Sequence, residues 1–181
     1  MKFCWPLSYD LLQCILKNMI TKKQFLNSFI KEIEIIRHLG TKVTPDMMDY
    51  RPSEKQRTML ELMNYLVHIF STGVILNISG DSKNYMTIAA TAPKVSLANF
   101  DLAMKTQIDT ITEKIEALTD EQLETEIEIF GHKDTLAMHL LGVMKWGVAY
   151  KMQFFLYIKA CGNHNINTSN LWRGTDPAPK E

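Results

Sequence analysis

The stretch LAMHLLGVMKWGVAYKMQFFLYIKACG, residues 136–162, is one long apolar run that reads as a helix closed by Gly162. It carries His139, Trp146, Tyr150 and Gln153 at successive spacings of seven, four and three, which stack side chains on one helical face. A core-facing stripe is ordinarily Leu, Ile and Val. Four polar or aromatic groups in that pattern therefore mark a candidate site, or the remains of one.

Working outward, Gly131 breaks the chain before this last helix, which is expected from about Asp134 to Cys161. Upstream, Thr119-Asp120-Glu121-Gln122 is a capping box that opens a short acidic helix, expected to run to about Ile127. Before it, Leu97, Met104, Ile108, Ile111, Ile115 and Leu118 recur in a heptad-like series, the third long helix. The second is expected from Glu54 to about Ser79, capped by Ser53-Glu54-Lys55-Gln56. Its stripe is Met59, Leu62, Leu66, Ile69 and Phe70, with His68 at the edge, and Gly80-Asp81 closes it. The first follows the Thr21-Lys22-Lys23-Gln24 box, with Phe25, Phe29, Ile33, Ile36 and Leu39 inward and Gly40 expected as a left-handed stop. The expectation is an all-α four-helix bundle with one long crossover, Asp81 to Val95, between helices two and three, and no competing strand pattern. The bundle spans residues 21–162, preceded by an N-terminal arm (1–20) and followed by a polar tail (163–181).

The 181 residues suffice for one domain with a real core. Lys plus Arg equal Asp plus Glu at 20 each, so no basic surplus points to nucleic acid or to an acidic membrane surface. Three cysteines, Cys4, Cys14 and Cys161, form no C-x-x-C pair, which fits a reducing cytoplasm and neither a disulfide framework nor a zinc knuckle. Charge or amide groups interrupt every apolar run before a membrane-spanning length is reached. No phosphate loop, Gly-x-Ser-x-Gly elbow or His-Glu-x-x-His pair occurs, so nucleotide-dependent, triad-hydrolase and zincin chemistry lack support. Eleven methionines at mostly core spacings fill gaps, and Glu121, Glu124, Glu126 and Glu128 read as a solvated face. Cys161 ends a helix, where the dipole disfavours a thiolate.

Four segments in order carry a resemblance: Tyr50-Arg51-Pro52-Ser53-Glu54, Leu62 through His68-Ile69, Leu118-Thr119-Asp120-Glu121-Gln122-Leu123, and the final helix from Gln153 to Gly162. Together they resemble the DinB superfamily over about Met19 to Gly162. The resemblance implies a four-helix bundle holding a divalent metal, zinc or nickel, through three histidines. One is on the second helix and two are on the last, with three residues between them. His68 matches the first ligand and Gln153 a family glutamine, but the two remaining ligand positions fall on Trp146 and Tyr150. An indole nitrogen has no lone pair to give, and a phenol ligates only as phenolate. His139 lies two turns, about 10 Å, from Trp146, too far to stand in for it.

The residues thus point to a metal-free site. His68 is expected as a boundary histidine bonded to a carbonyl or hydroxyl. Trp146 is expected to fill the core volume of a metal, and Tyr150 and Gln153 to hydrogen-bond with His68 across the bundle. The pocket residues are then His68, His139, Trp146, Tyr150 and Gln153, with His68 and Tyr150 as catalytic candidates. The expected function is a DinB-like small-molecule binding or interaction module without cofactor, which the resemblance implies is a homodimer. The alternative is a metal-dependent or remodelled enzyme akin to the family's thiol-dependent transferases and isomerases.

Overall fold

The computed structural model describes residues 20–178, so the expected arm, Ile20 apart, lies outside the described residues. Helix α1 spans Lys22–Gly40 and starts on the expected box. Thr21 Oγ1 accepts from the Gln24 amide at 3.2 Å, and Gln24 Oε1 accepts from the Thr21 amide at 2.9 Å. Gly40 corrects its expectation: it is helical, and Thr41 forms the cap. Its reason is close packing, because a Cβ there would lie 2.6 Å from the Phe100 ring.

Helix α2, Met59–Ser79, begins later than expected. The box that caps it is Thr58 with Glu61: Thr58 N donates to Glu61 Oε2 at 2.7 Å, and Glu61 N donates to Thr58 Oγ1 at 3.1 Å. Ser53 to Gln56 instead close a turn through Gln56 N and Ser53 O at 3.0 Å. Both tetrads carry the same local chemistry. The winning one abuts the buried run Met59, Leu62, Met63 and Leu66, whose burial stabilises helix from that point. At the other end Gly80 adopts φ 68, the left-handed stop.

The crossover holds a short helix α3, Tyr85–Ala90, and leads to α4, Phe100–Glu116. The Thr119–Gln122 box caps α5, which stops at Leu123 rather than Ile127. An antiparallel hairpin follows, β1 Glu126–Ile129 and β2 His132–Thr135, pairing Ile127 with Asp134 and Ile129 with His132. This corrects the strand-free expectation. Glu126-Ile127-Glu128-Ile129 alternates with period two, and Phe130 and Gly131 turn with φ 51 and 77, the positive values of a primed two-residue turn. The glutamates stay exposed while Ile129 is buried.

Helix α6, Leu136–Ala160, is capped by Thr135. Within residues 163–178 lies helix α7, Thr168–Arg173, whose Asn170 and Leu171 are buried. It packs on α1 and α6. The four long helices α1, α2, α4 and α6 form the core: α4 and α6 each contact both α1 and α2, setting α1 and α2 at opposite corners. Phe29 of α1 and Phe70 of α2 meet across the centre at 5.5 Å, edge to face. Among the described residues, α2 is long and apolar enough to cross a membrane, yet 61% of its most apolar window is buried inside the protein. Its apolarity serves the core.

Candidate functional site

Leu136, Leu140, Val143, Gly147, Lys151, Phe154 and Ile158 form the main buried stripe of α6, with Phe155 and Tyr157 also buried near its end. This stripe lies one residue round the helix from the His139–Trp146–Tyr150–Gln153 face, and a step of one residue turns a side chain by about 100°. The expected site face therefore flanks the core. Trp146, expected as core filler, is 52% exposed. The inward position is Gly147, against which the Phe70 ring packs so closely that a Cβ would fall 1.7 Å from it. Phe70 occupies the volume expected of the indole.

His68, half-buried on α2, places Nδ1 3.3 Å from the Thr72 hydroxyl, as expected of a boundary histidine. Its ring meets Tyr65 edge-on at 5.5 Å, and Tyr65 meets Tyr150 at 4.7 Å. The Arg57 guanidinium lies 4.2 Å from the Tyr65 ring centre and 5.8 Å from that of Tyr150. Burial, and then the Arg57 charge, pull the His68 imidazole below its ordinary value, favouring the neutral ring. Burial, with Tyr85 and Tyr150 beside it, pushes the Tyr65 phenol up, so it stays protonated.

Gln153 corrects another expectation. Its Nε2 donates to Tyr157 Oη at 2.8 Å, and Tyr157 Oη donates to the Arg57 carbonyl at 3.1 Å, a chain that holds the Arg57 loop rather than His68. The phenol of Tyr150 likewise belongs to the Tyr65 cluster. At Cys161, burial and Asp46 raise the thiol further, consistent with an unreactive cysteine.

His139 sits toward the hairpin. Its Nε2 lies 3.3 Å from the Ile127 carbonyl and its ring 5.5 Å from that of His132, which is 3.7 Å from Asp134. His139 and Trp146 line a cavity of about 370 Å³ together with Asn77, His132 and Asp134. A wider groove of about 990 Å³, lined by Thr21, Phe25 and Met138, lies elsewhere, between the starts of α1 and α6. The sequence reading missed Arg57, Tyr65, Tyr85 and Asn77. Tyr65 lies three residues before His68, on its side of α2, and was the legible one.

A helix-two imidazole with an outward indole and a ring-packed phenol does not fit a three-imidazole centre. Among the described residues, no three His, Cys, Asp or Glu side chains converge as metal ligands would.

The mostly helical fold, with its one short hairpin, is DinB-like. The structure is similar to that of a DinB-like protein from Bacillus subtilis, with TM-score 0.65 and 23% identity over 80% of this chain and 95% of that one. It is also similar to a protein assigned to the DinB family from Exiguobacterium sibiricum, with TM-score 0.67 and 17% identity over 83% and 99%. A DinB-like protein from Bacillus cereus gives TM-score 0.60 and 17% identity over 77% and 92%. No protein-family model matches the sequence, and no curated protein matches it.

Proposed function

We propose that this chain is a metal-free member of the DinB superfamily that binds a small molecule, acting as a soluble cytoplasmic homodimer. The observation that carries this reading is the fate of the two replaced ligand positions. Trp146 points outward beside a cavity of about 370 Å³, within the usual range of small-molecule sites, and Tyr150 packs on Tyr65 under Arg57. With its neutral imidazole, protonated phenol and nearby guanidinium, the cluster offers hydrogen bonds and π-faces in place of metal bonds. The near-neutral balance of 20 basic and 20 acidic residues argues against nucleic acid as the partner.

The test is metal analysis of untagged protein purified without chelators, beside His68→Ala. We expect substoichiometric metal in both. One zinc or nickel per chain that disappears in His68→Ala would overturn the reading in favour of the enzymatic alternative. Sedimentation equilibrium checks the homodimer, which a monomeric mass at micromolar concentration would exclude.

A further inference from the structure

Helix α6 also presents a face that neither the core nor the Tyr65 cluster uses. On the side away from Gly147, Met138, Gly142, Lys145, Ala149, Met152, Leu156 and Lys159 recur at alternating spacings of four and three, the seam of a coiled coil. Gly142 is half-buried and the other six are exposed, Met138 and Leu156 by half or more of their area. No acidic residue occurs anywhere in the helix. The outward face of α4, at the opposite corner of the bundle, carries Lys105, Asp109, Glu113 and Glu116 and is built for water. A long, largely apolar helix face marks an interaction surface instead. Trp146, also exposed, flanks the middle of this seam, where aromatic anchors of interfaces concentrate.

The pattern of side-chain size along the seam says what covers it. Turned end for end about Ala149, the seam falls on itself, because its members lie in pairs at equal distance, within one residue, on either side of that alanine. Ala149 meets Ala149, Gly142 meets Leu156, Lys145 meets Met152 and Met138 meets Lys159. The leucine thus faces a glycine, and a Cβ built at Gly142 meets nothing within 4 Å, so the recess is open to a side chain from outside. Each methionine lies along the apolar stem of a lysine, whose ammonium group reaches water past it. A parallel pairing sets Lys145 on Lys145 and Lys159 on Lys159, like charges in register, and leaves a gap between two glycines. Self-matching of this kind is what a two-fold interface requires, since one patch must complement itself, whereas an unrelated partner helix needs no such symmetry. We infer that a second copy of this chain docks here, α6 against α6, antiparallel about a two-fold axis at Ala149. The inference rests on the homodimer proposed above and names its surface. Met138, Gly142, Lys145 and Trp146 also line the cavity of about 370 Å³, so the partner's Leu156, seated over Gly142, walls off its outer side and places the small-molecule site at the subunit interface.

Sedimentation equilibrium and disulfide trapping of the full chain test it. Ala149→Glu sets two carboxylates against each other on the axis and should weaken the dimer by about a hundredfold or more. Met152→Glu instead faces the partner's Lys145 and should stay within about tenfold of the unmodified chain. Both positions are exposed, so the fold persists, and circular dichroism melts within a few degrees of the unmodified chain check this. Helix axes about 8–10 Å apart bring Cα atoms on the axis to roughly 3.4–5.4 Å, which overlaps the disulfide range. With Cys4, Cys14 and Cys161 replaced by Ser, diamide should therefore link Ala149→Cys into a covalent dimer at micromolar concentration and leave Lys105→Cys, on α4, unlinked. A dimer untouched by Ala149→Glu, equal losses from the two glutamates, or no preferential link at Ala149→Cys would each overturn the inference while the homodimer stands, its copies meeting elsewhere or in another register. A monomeric unmodified chain would overturn the homodimer and this surface together, so the two failures are distinguishable.

Discussion

Gln107 of α4 is 2% exposed and inserts its amide into the side of α2, so replacing it tests how the helix that carries His68 is held. Oε1 accepts from the Phe70 amide at 3.0 Å and from the Ser71 amide at 3.1 Å, while Nε2 donates to the Leu66 carbonyl at 3.0 Å. Leu66 O and Phe70 N are the pair that an ordinary i to i−4 bond would join. One side chain therefore bridges a rung of the helix, directly around His68. Gln107→Leu keeps the volume and removes all three bonds. At a net value of about 0.5–1.5 kcal/mol each, the gross loss is about 1.5–4.5 kcal/mol. Direct re-pairing of Leu66 O with Phe70 N recovers about one bond, leaving an expected destabilisation of about 1–3 kcal/mol. In urea unfolding this appears as a lower midpoint at unchanged slope, with Tm falling by roughly 2–12 °C. Gln107→Glu should also be destabilised, since a carboxylate accepts the two amides but presents no donor to Leu66 O. A loss below about 0.5 kcal/mol for Gln107→Leu would refute the bridging argument, because α2 would then close its own ladder at no cost.

Lys151, 1% exposed, pairs with Glu32 at 2.6 Å and lies 5.1 Å from the Trp172 ring centre. Lys151→Ala should cost about 2–4 kcal/mol in chemical denaturation, whereas Lys151→Met with Glu32→Gln should stay within about 1 kcal/mol, since the pair repays its own desolvation only partly. Gly147→Ala should lose about 3 kcal/mol or more through collision with Phe70, and Phe70→Leu in the same chain should recover part of it, a coupling that a double-mutant cycle measures. The His68 imidazole, held below 6.5 by burial and then by Arg57, favours its neutral form in the folded state. Its contribution is present above 6.5 and fades as pH falls through the folded value, because the unfolded chain takes up the proton first. His38, lowered by burial and by Lys42, acts in the same direction, so His68→Gln should reduce the acid-side slope of stability without abolishing it. Arg57→Ala should move the His68 NMR titration upward, and an unchanged midpoint would remove Arg57 from the account.

Local pattern was enough for much of this protein. The boxes at Thr21 and Thr119, the glycine stop at Gly80 and the core spacings of α1, α2 and α4 depend on neighbours within about one turn, so they are visible in the chain. The helical class and the position of His68 beside a hydroxyl followed from them. The hairpin was legible too, in the alternation of residues 126–129 and the Phe130-Gly131 turn, but the acidic residues there also suit a solvated helix face. Choosing between the Ser53 and Thr58 boxes required knowing which apolar run would be buried.

The rotation of α6 was decided by long-range packing. Gly147 accepts the Phe70 ring from α2, and that contact turns Gly147 inward and leaves Trp146 outside. The spacing of seven, four and three is the same for a stripe that faces the core and for one that flanks it, since periodicity fixes which residues share a face but not which way the face points. The partners of the buried polar groups have the same origin. Gln107 reaches Leu66 across 41 residues, Lys151 reaches Glu32 across 119, and Asn77 Oδ1 is left without a partner among the described residues. Helix geometry is local, whereas the identity of the neighbour across a core depends on how distant helices pack.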